Sequence, residues 1–156
     1  MPAVAAVLTA VTPTLLSGEV GTQLTPAPTI RASDQNGNPV QGVTVSFRIT
    51  VEGKAVRTAI ASTGSDGTAT VAWLLDERAG SYVINAESHG LPSVGFSVTA
   101  RPGPAAILAR VQESQWQSAV LGTALALPLT LKLGDRFENP IAGAAVTFVV
   151  LSGGGS

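Results

Sequence analysis

Two stretches of the chain carry the same text. Gly21-Thr22-x-Leu24 followed by Asp34-x-x-x-Asn38-Pro39-Val40-x-Gly42-Val43-x-Val45-Ser46-Phe47 returns as Gly122-Thr123-x-Leu125 followed by Asp135-x-x-x-Asn139-Pro140-Ile141-x-Gly143-Ala144-x-Val146-Thr147-Phe148. The offset is 101 residues from end to end of the match. Such a repeat constrains the structural unit more than any single motif, because each copy must solve the same packing problem. About 100 residues of short strands is the size of one two-layer β-sandwich. In a chain of 156 residues this predicts one complete unit and the first half of a second. The boundaries follow as 1–101 for the complete unit, 102–104 for a linker and 105–156 for the partial copy.

The pattern inside each copy is that of strands. Val43, Val45, Phe47 and Ile49 alternate with Thr44, Ser46 and Arg48, the period of a strand with one buried face. Further strands are expected at 3–12, 29–33, 57–61, 68–75, 81–87 and 94–98, and in the second copy at 105–111, 129–133 and 145–151. The stretch 15–23 reads as turn and edge material. Phe47, Trp73, Phe96 and Phe148 are in phase with these strands and are expected in the core. Turns are marked by Asp34-Gln35-Asn36-Gly37-Asn38-Pro39, Glu52-Gly53-Lys54, Thr63-Gly64-Ser65-Asp66-Gly67 and, in the second copy, by Asp135, Asn139 and Pro140. No window holds a helical period, so no long helix is expected. Pro102-Gly103-Pro104 is short and stiff, which suggests units in series as a semi-rigid rod.

Composition narrows the function. Only 12% of residues are charged and mean hydropathy is +0.35, so part of the surface is expected to meet something other than water. The nine Lys and Arg are scattered singly, which argues against nucleic acid and against a polybasic membrane site. No apolar run is long enough for a membrane span, and Ala3–Val11 reads as a first strand rather than a signal peptide. Absence of cysteine excludes disulfides and thiol chemistry.

Asp34-x-Asn36-x-Asn38 has the opening of a calcium loop, but the positions for its glycine and its bidentate glutamate hold Pro39 and Val45. The second copy places Phe137 where an oxygen ligand would stand. These residues read as turn caps, and neither metal nor cofactor is expected. His89 is the sole histidine and falls in a turn, while the carboxylates stand singly, so no catalytic residues are assigned. The candidates for partner contact are Trp116, Phe137, Leu15 and Leu16: large apolar residues near edges or turn tips.

The repeat motifs, with Thr63-Gly64-Ser65-Asp66-Gly67-Thr68-Ala69 and Ala79-Gly80-Ser81-Tyr82-Val83-Ile84-Asn85-Ala86, resemble the bacterial Ig-like group 1 repeats of the invasin and intimin type. The second copy departs at Phe137-Glu138, where the first has Asn36-Gly37. The resemblance implies an all-β, Ig-like β-sandwich, one complete unit plus the first half of a second in tandem. It also implies a non-enzymatic spacer or adhesion module of an exported bacterial protein, located outside the cytoplasm at the surface, in the periplasm or secreted. A second reading is an accessory subunit of a larger extracytoplasmic complex, with protein partners met by apolar surface or strand addition. A third is a surface-ligand or carbohydrate module, although clustered exposed aromatics are missing. For the half unit, three resolutions are expected to compete: a longer natural chain, strands from a partner, or a minimal cap.

Overall fold

The structure is a computed structural model that describes residues 4–51, 54–111 and 116–153. The described residues contain no helix, and they fall into two units, Met1–Arg101 and Pro102–Ser156.

The first unit is a two-layer sandwich. One layer is β1 (Val7–Ala10), β3 (Thr29–Ser33) and β6 (Thr68–Thr70), in the order β1-β3-β6. The other is β2 (Leu15–Glu19), β4 (Thr44–Val51), β5 (Lys54–Ser62), β7 (Gly80–Glu87) and β8 (Val94–Arg101), in the order β2-β8-β7-β4-β5. Period-two alternation decides which faces meet. Val45, Phe47 and Ile49 of β4, Ile84 and Ala86 of β7, and Phe96, Val98 and Ala100 of β8 are all buried. Across the core, β3 turns Ile30 and Ala32 inward while Arg31 stays in water. Burying a large side chain of this kind stabilises by roughly 1.5–3 kcal/mol each. Trp73 is buried, and the Arg57 guanidinium lies 4.9 Å from its ring centroid.

Several elements differ from the sequence expectation. The stretch 15–23, read as turn and edge material, holds a defined strand: Leu15–Glu19 forms β2 at the edge of the five-stranded sheet and pairs in parallel with β8, Leu16 opposite Val98. Leu-Leu-Ser-Gly-Glu shows no clean alternation, so tertiary pairing makes this strand. Gly18 leaves room there for the Leu75 side chain: a Cβ would come within 2.6 Å of Leu75 Cδ1, which would have to shift. β1 is shorter than expected, since the Thr12 hydroxyl and the Val11 amide take over the bonding to Thr29 ahead of Pro13. β5 is longer, held by its pairing along β4. β6 stops at Thr70, because the backbone after it bonds to the 21–24 loop instead: Leu24 N–H donates to Trp73 O, and Leu75 N–H to Thr22 O. Trp73 and Leu75 still point inward. The expected turn at Glu52-Gly53 lies outside the described residues.

In the second unit β9 (Ile107–Arg110) pairs antiparallel with β10 (Leu131–Gly134). This repeats the β1–β3 pair rung for rung: Val7 faces Ser33 and Leu8 faces Ala32, as Ile107 faces Gly134 and Leu108 faces Leu133. The offset is 101 for β10 but 100 for β9, so the second copy carries one extra residue between positions 111 and 122. The expected strand at 145–151 is absent, because no neighbouring strand of the described unit is there to bond its backbone. Phe148, expected in the core, is 57% exposed, whereas its counterpart Phe47 is fully buried.

Candidate protein-contact surface

Three aspartates, Asp34, Asp66 and Asp135, are engaged in shaping turns. Asp34 Oδ1 accepts the N–H groups of Asn36 and Asn38, each at 2.9 Å, and Asn38 Nδ2 donates to Oδ2 at 3.0 Å. The second copy rebuilds the same knot. Asp135 Oδ1 accepts from Phe137 and Asn139 N–H at 2.9 Å, and Asn139 Nδ2 donates to Oδ2 at 2.9 Å. Pro39 and Pro140 leave the two knots by matching bridges to Ser33 and Gly134. The change from Asn36-Gly37 to Phe137-Glu138 therefore leaves the turn intact. Glu138 adopts the left-handed φ of +65° where the first copy has glycine at +83°, at a strain of about 1–2 kcal/mol.

Hydrogen bonding also sets the carboxyl pKa values. The Asn38 side chain foremost, then the Asn38 amide, lowers Asp34. The Thr68 amide and hydroxyl lower Asp66, which caps its own turn before Gly67. For Asp135 burial works in the raising direction, but donations from the Asn139 side chain and from the Gly103, Asn139 and Phe137 amides outweigh it and hold the group at about 2. Their lone pairs occupied, these oxygens belong to loop architecture. Among the described residues no group of three or more His, Asp or Glu is placed to hold a metal ion. His89 is exposed in the turn after β7. No helix of the described residues is long and apolar enough to cross a membrane.

The surface that stands out is apolar and lies on the second unit. In the first unit the inner face of the β1–β3 pair carries Leu8, Ile30 and Ala32, all buried beneath the five-stranded sheet. The same face of β9–β10 carries Leu108, Leu131 and Leu133. Leu108 is 56% exposed where Leu8 is 5% exposed. An open cleft of about 550 Å³ lies over this face, lined by Leu108, Arg110, Trp116, Leu129, Leu131 and Phe148 among others. Val149, Val150 and Leu151 extend the uncovered surface. Next to Trp116, the Gln117 side chain bonds a backbone: its Oε1 accepts Leu127 N–H at 2.8 Å and its Nε2 donates to Leu127 O at 2.9 Å, as a strand backbone would.

The four contact candidates read from the sequence separate on this geometry. Leu16 is buried in the first unit and Leu15 beside it is exposed, so of that pair only Leu15 is accessible. Trp116 is 95% exposed and lines the cleft. Phe137 is half-buried, with the Arg136 guanidinium 4.4 Å from its ring centroid, and does not line that cleft. Leu108, Leu129 and Phe148 were not read as contact residues. The signal was present in the repeat itself: a residue whose counterpart fills a core is left bare where the described residues supply no second layer over it.

Residues 21–101 match the sequence model of the family described as bacterial Ig-like domain (group 1). No curated protein sequence matches the chain. Among solved structures, the crystal structure of invasin, titled a bacterial integrin-binding protein, is similar at 24% identity and a TM-score of 0.50. That likeness covers 87% of this chain and 27% of invasin, so the chain spans about a quarter of invasin's length, and it is a likeness of fold. With just over half of its residues inside the family match and an all-strand sandwich formed by them, the chain belongs to the group 1 family of bacterial Ig-like domains.

Proposed function

We propose that the chain is a non-enzymatic spacer or adhesion-type module of an exported bacterial protein, acting outside the cytoplasm. The observation that carries this reading is the family match over residues 21–101, in a unit whose interior is filled by Trp73, Phe47, Phe96, Ile30 and Ile84. A sandwich packed in this way transmits position, since its parts do not slide past one another. The integrin partner named for invasin is not carried over, because the likeness concerns fold.

A second reading, an accessory subunit docked on a larger extracytoplasmic assembly, is favoured by one observation: the uncovered apolar face of the second unit. The test is fractionation of the source bacterium followed by native mass spectrometry. The spacer reading expects this sequence outside the cytoplasm, within one polypeptide that carries no other subunits. A complex releasing this chain with different subunits would replace it by the accessory reading, and recovery from the cytoplasm would defeat both.

A further inference from the structure

Two dipeptides of the first unit, Asn36-Gly37 and Asp66-Gly67, let the amide nitrogen of a glycine attack the side-chain carbonyl before it. Glycine favours this because no side chain obstructs the ring that forms and its φ is free. The structure separates the two. The Thr68 hydroxyl occupies both Asp66 oxygens, and Oδ1 also accepts the Thr68 amide. Gly67 is hemmed in, since a Cβ there would lie 2.7 Å from Ala32 O and 2.8 Å from Pro39 Cβ. Asn36 is exposed, and its carboxamide has no hydrogen-bond partner among the described residues. Nothing stands within 4 Å of the place a Gly37 Cβ would take, so the backbone beside Asn36 is unobstructed. The other three asparagines are held out of reaction. Asn38 and Asn139 precede prolines, whose nitrogen has no proton to lose. Asn85 lies inside β7, its backbone fixed between Arg48 of β4 and Gly95 of β8.

We propose that Asn36 is a self-modification site, deamidated by its own backbone and water. The Gly37 nitrogen bonds to Asn36 Cγ as the Cγ–Nδ2 bond breaks. The proton of that nitrogen passes through water to Nδ2, which leaves as ammonia, and a succinimide ring is closed. Water then adds to one of the ring's two carbonyl carbons. Its hydroxyl stays on that carbon and its proton returns to the Gly37 nitrogen, giving aspartate or an isoaspartyl link at position 36. The turn sets the rate, because Gly37 N–H donates to Asp34 O at 3.1 Å while the turn is closed. The product acts back on the turn. Aspartate brings a second carboxylate beside Asp34, and an isoaspartyl link inserts a methylene between the Asn36 and Asn38 amides that share Asp34 Oδ1. The first knot therefore loosens with age, while the second, with Phe137-Glu138 at that place, has no carboxamide there to lose.

The test holds the whole protein at mildly alkaline pH and follows it by peptide mapping, with fragmentation that separates aspartyl from isoaspartyl links. Asn36 is expected to convert to a mixture of both, while Asn38, Asn85 and Asn139 stay intact and Asp66 does not isomerise. Hydroxylamine should cleave the chain between positions 36 and 37 during the conversion. Asn36→Gln should abolish product and cleavage. Asp34→Ala, which removes charge-assisted bonds that close the turn, should speed conversion at least about tenfold, with Trp73 emission showing the first unit still folded. In amide NMR the Asn38 signal should shift as product accumulates and that of Asn139 should not. Asn36 remaining intact in both the wild type and Asp34→Ala, while a peptide of residues 30–42 converts fully, would overturn the proposal. So would Asp66 isomerising as fast as Asn36 converts.

Discussion

Phe47 and Phe148 hold the same place in the repeat, and truncating each to alanine should give opposite results. Phe47 is fully buried between Val45 and Ile49 on the inner face of β4. Removing a buried phenylalanine ring costs about 3–5 kcal/mol, the lost transfer energy plus the cavity left behind. Near 100 residues, each kcal/mol moves Tm by roughly 4–8 °C, so Phe47→Ala should lower it by at least about 12 °C. Phe47→Leu, which leaves a smaller cavity than alanine and costs correspondingly less, keeps the comparison measurable if the alanine variant fails to fold. Phe148 is 57% exposed, so Phe148→Ala should change stability by no more than about 0.5 kcal/mol. The assay is urea unfolding followed residue by residue by amide NMR, so that each unit reports its own midpoint, with fluorescence alongside. Trp73 is buried and reports the first unit, while Trp116 is already exposed and contributes little change. A Phe148→Ala midpoint displaced as far as that of Phe47→Ala would refute the argument that the two copies differ in cover.

Gly67 has φ +75°, and a Cβ there would meet Ala32 O at 2.7 Å and Pro39 Cβ at 2.8 Å, whereas Gly37, at φ +83°, faces open space. Gly37→Ala should therefore cost about 1–2 kcal/mol, and Gly67→Ala at least about 3 kcal/mol, because it adds a backbone clash to the same conformational strain. Equal urea midpoints for the two variants would count against that close approach. The Asp135 carboxyl, held at about 2, binds its proton at lower pH in the folded than in the unfolded chain. Its contribution is complete above about pH 4 and is lost as pH falls toward about 2. A carboxyl-carbon NMR titration should place its midpoint near 2, and a midpoint at the ordinary aspartate value of 3.8 would show that the knot around it does not form.

The sequence was most legible where local chemistry is self-sufficient. The knot at Asp34 is closed by its own neighbours Asn36 and Asn38, so residue types alone announce it, and the second knot survives even with Phe137 and Glu138 inside. The alternation of β4 and β8 was equally open to reading, since burial on one face writes itself as period two. β2 escaped because its partner is about 80 residues away and its own text holds a glycine packed close to the Leu75 side chain. Phe148 misled for a related reason. Its alternation is genuine, but alternation states which face would be buried and says nothing of whether a second layer is there to bury it. The contact surface was legible only in part: Trp116 was read from its polar flanks, while Leu108 and Leu129 needed the geometry of β9 and β10.

The parallel pairing of β2 with β8 has a mechanical consequence. Its rungs run from Leu15 opposite Ser97 to Glu19 opposite Arg101, and two further bonds extend the ladder, Ser97 N–H to Thr14 O and Val20 N–H to Arg101 O. β2 lies near the start of the unit and β8 ends it. Tension entering through the first and leaving through the second draws two parallel strands along their length in opposite senses. The load is then borne in shear by every rung at once, where an antiparallel hairpin pulled at its open end would yield one rung at a time.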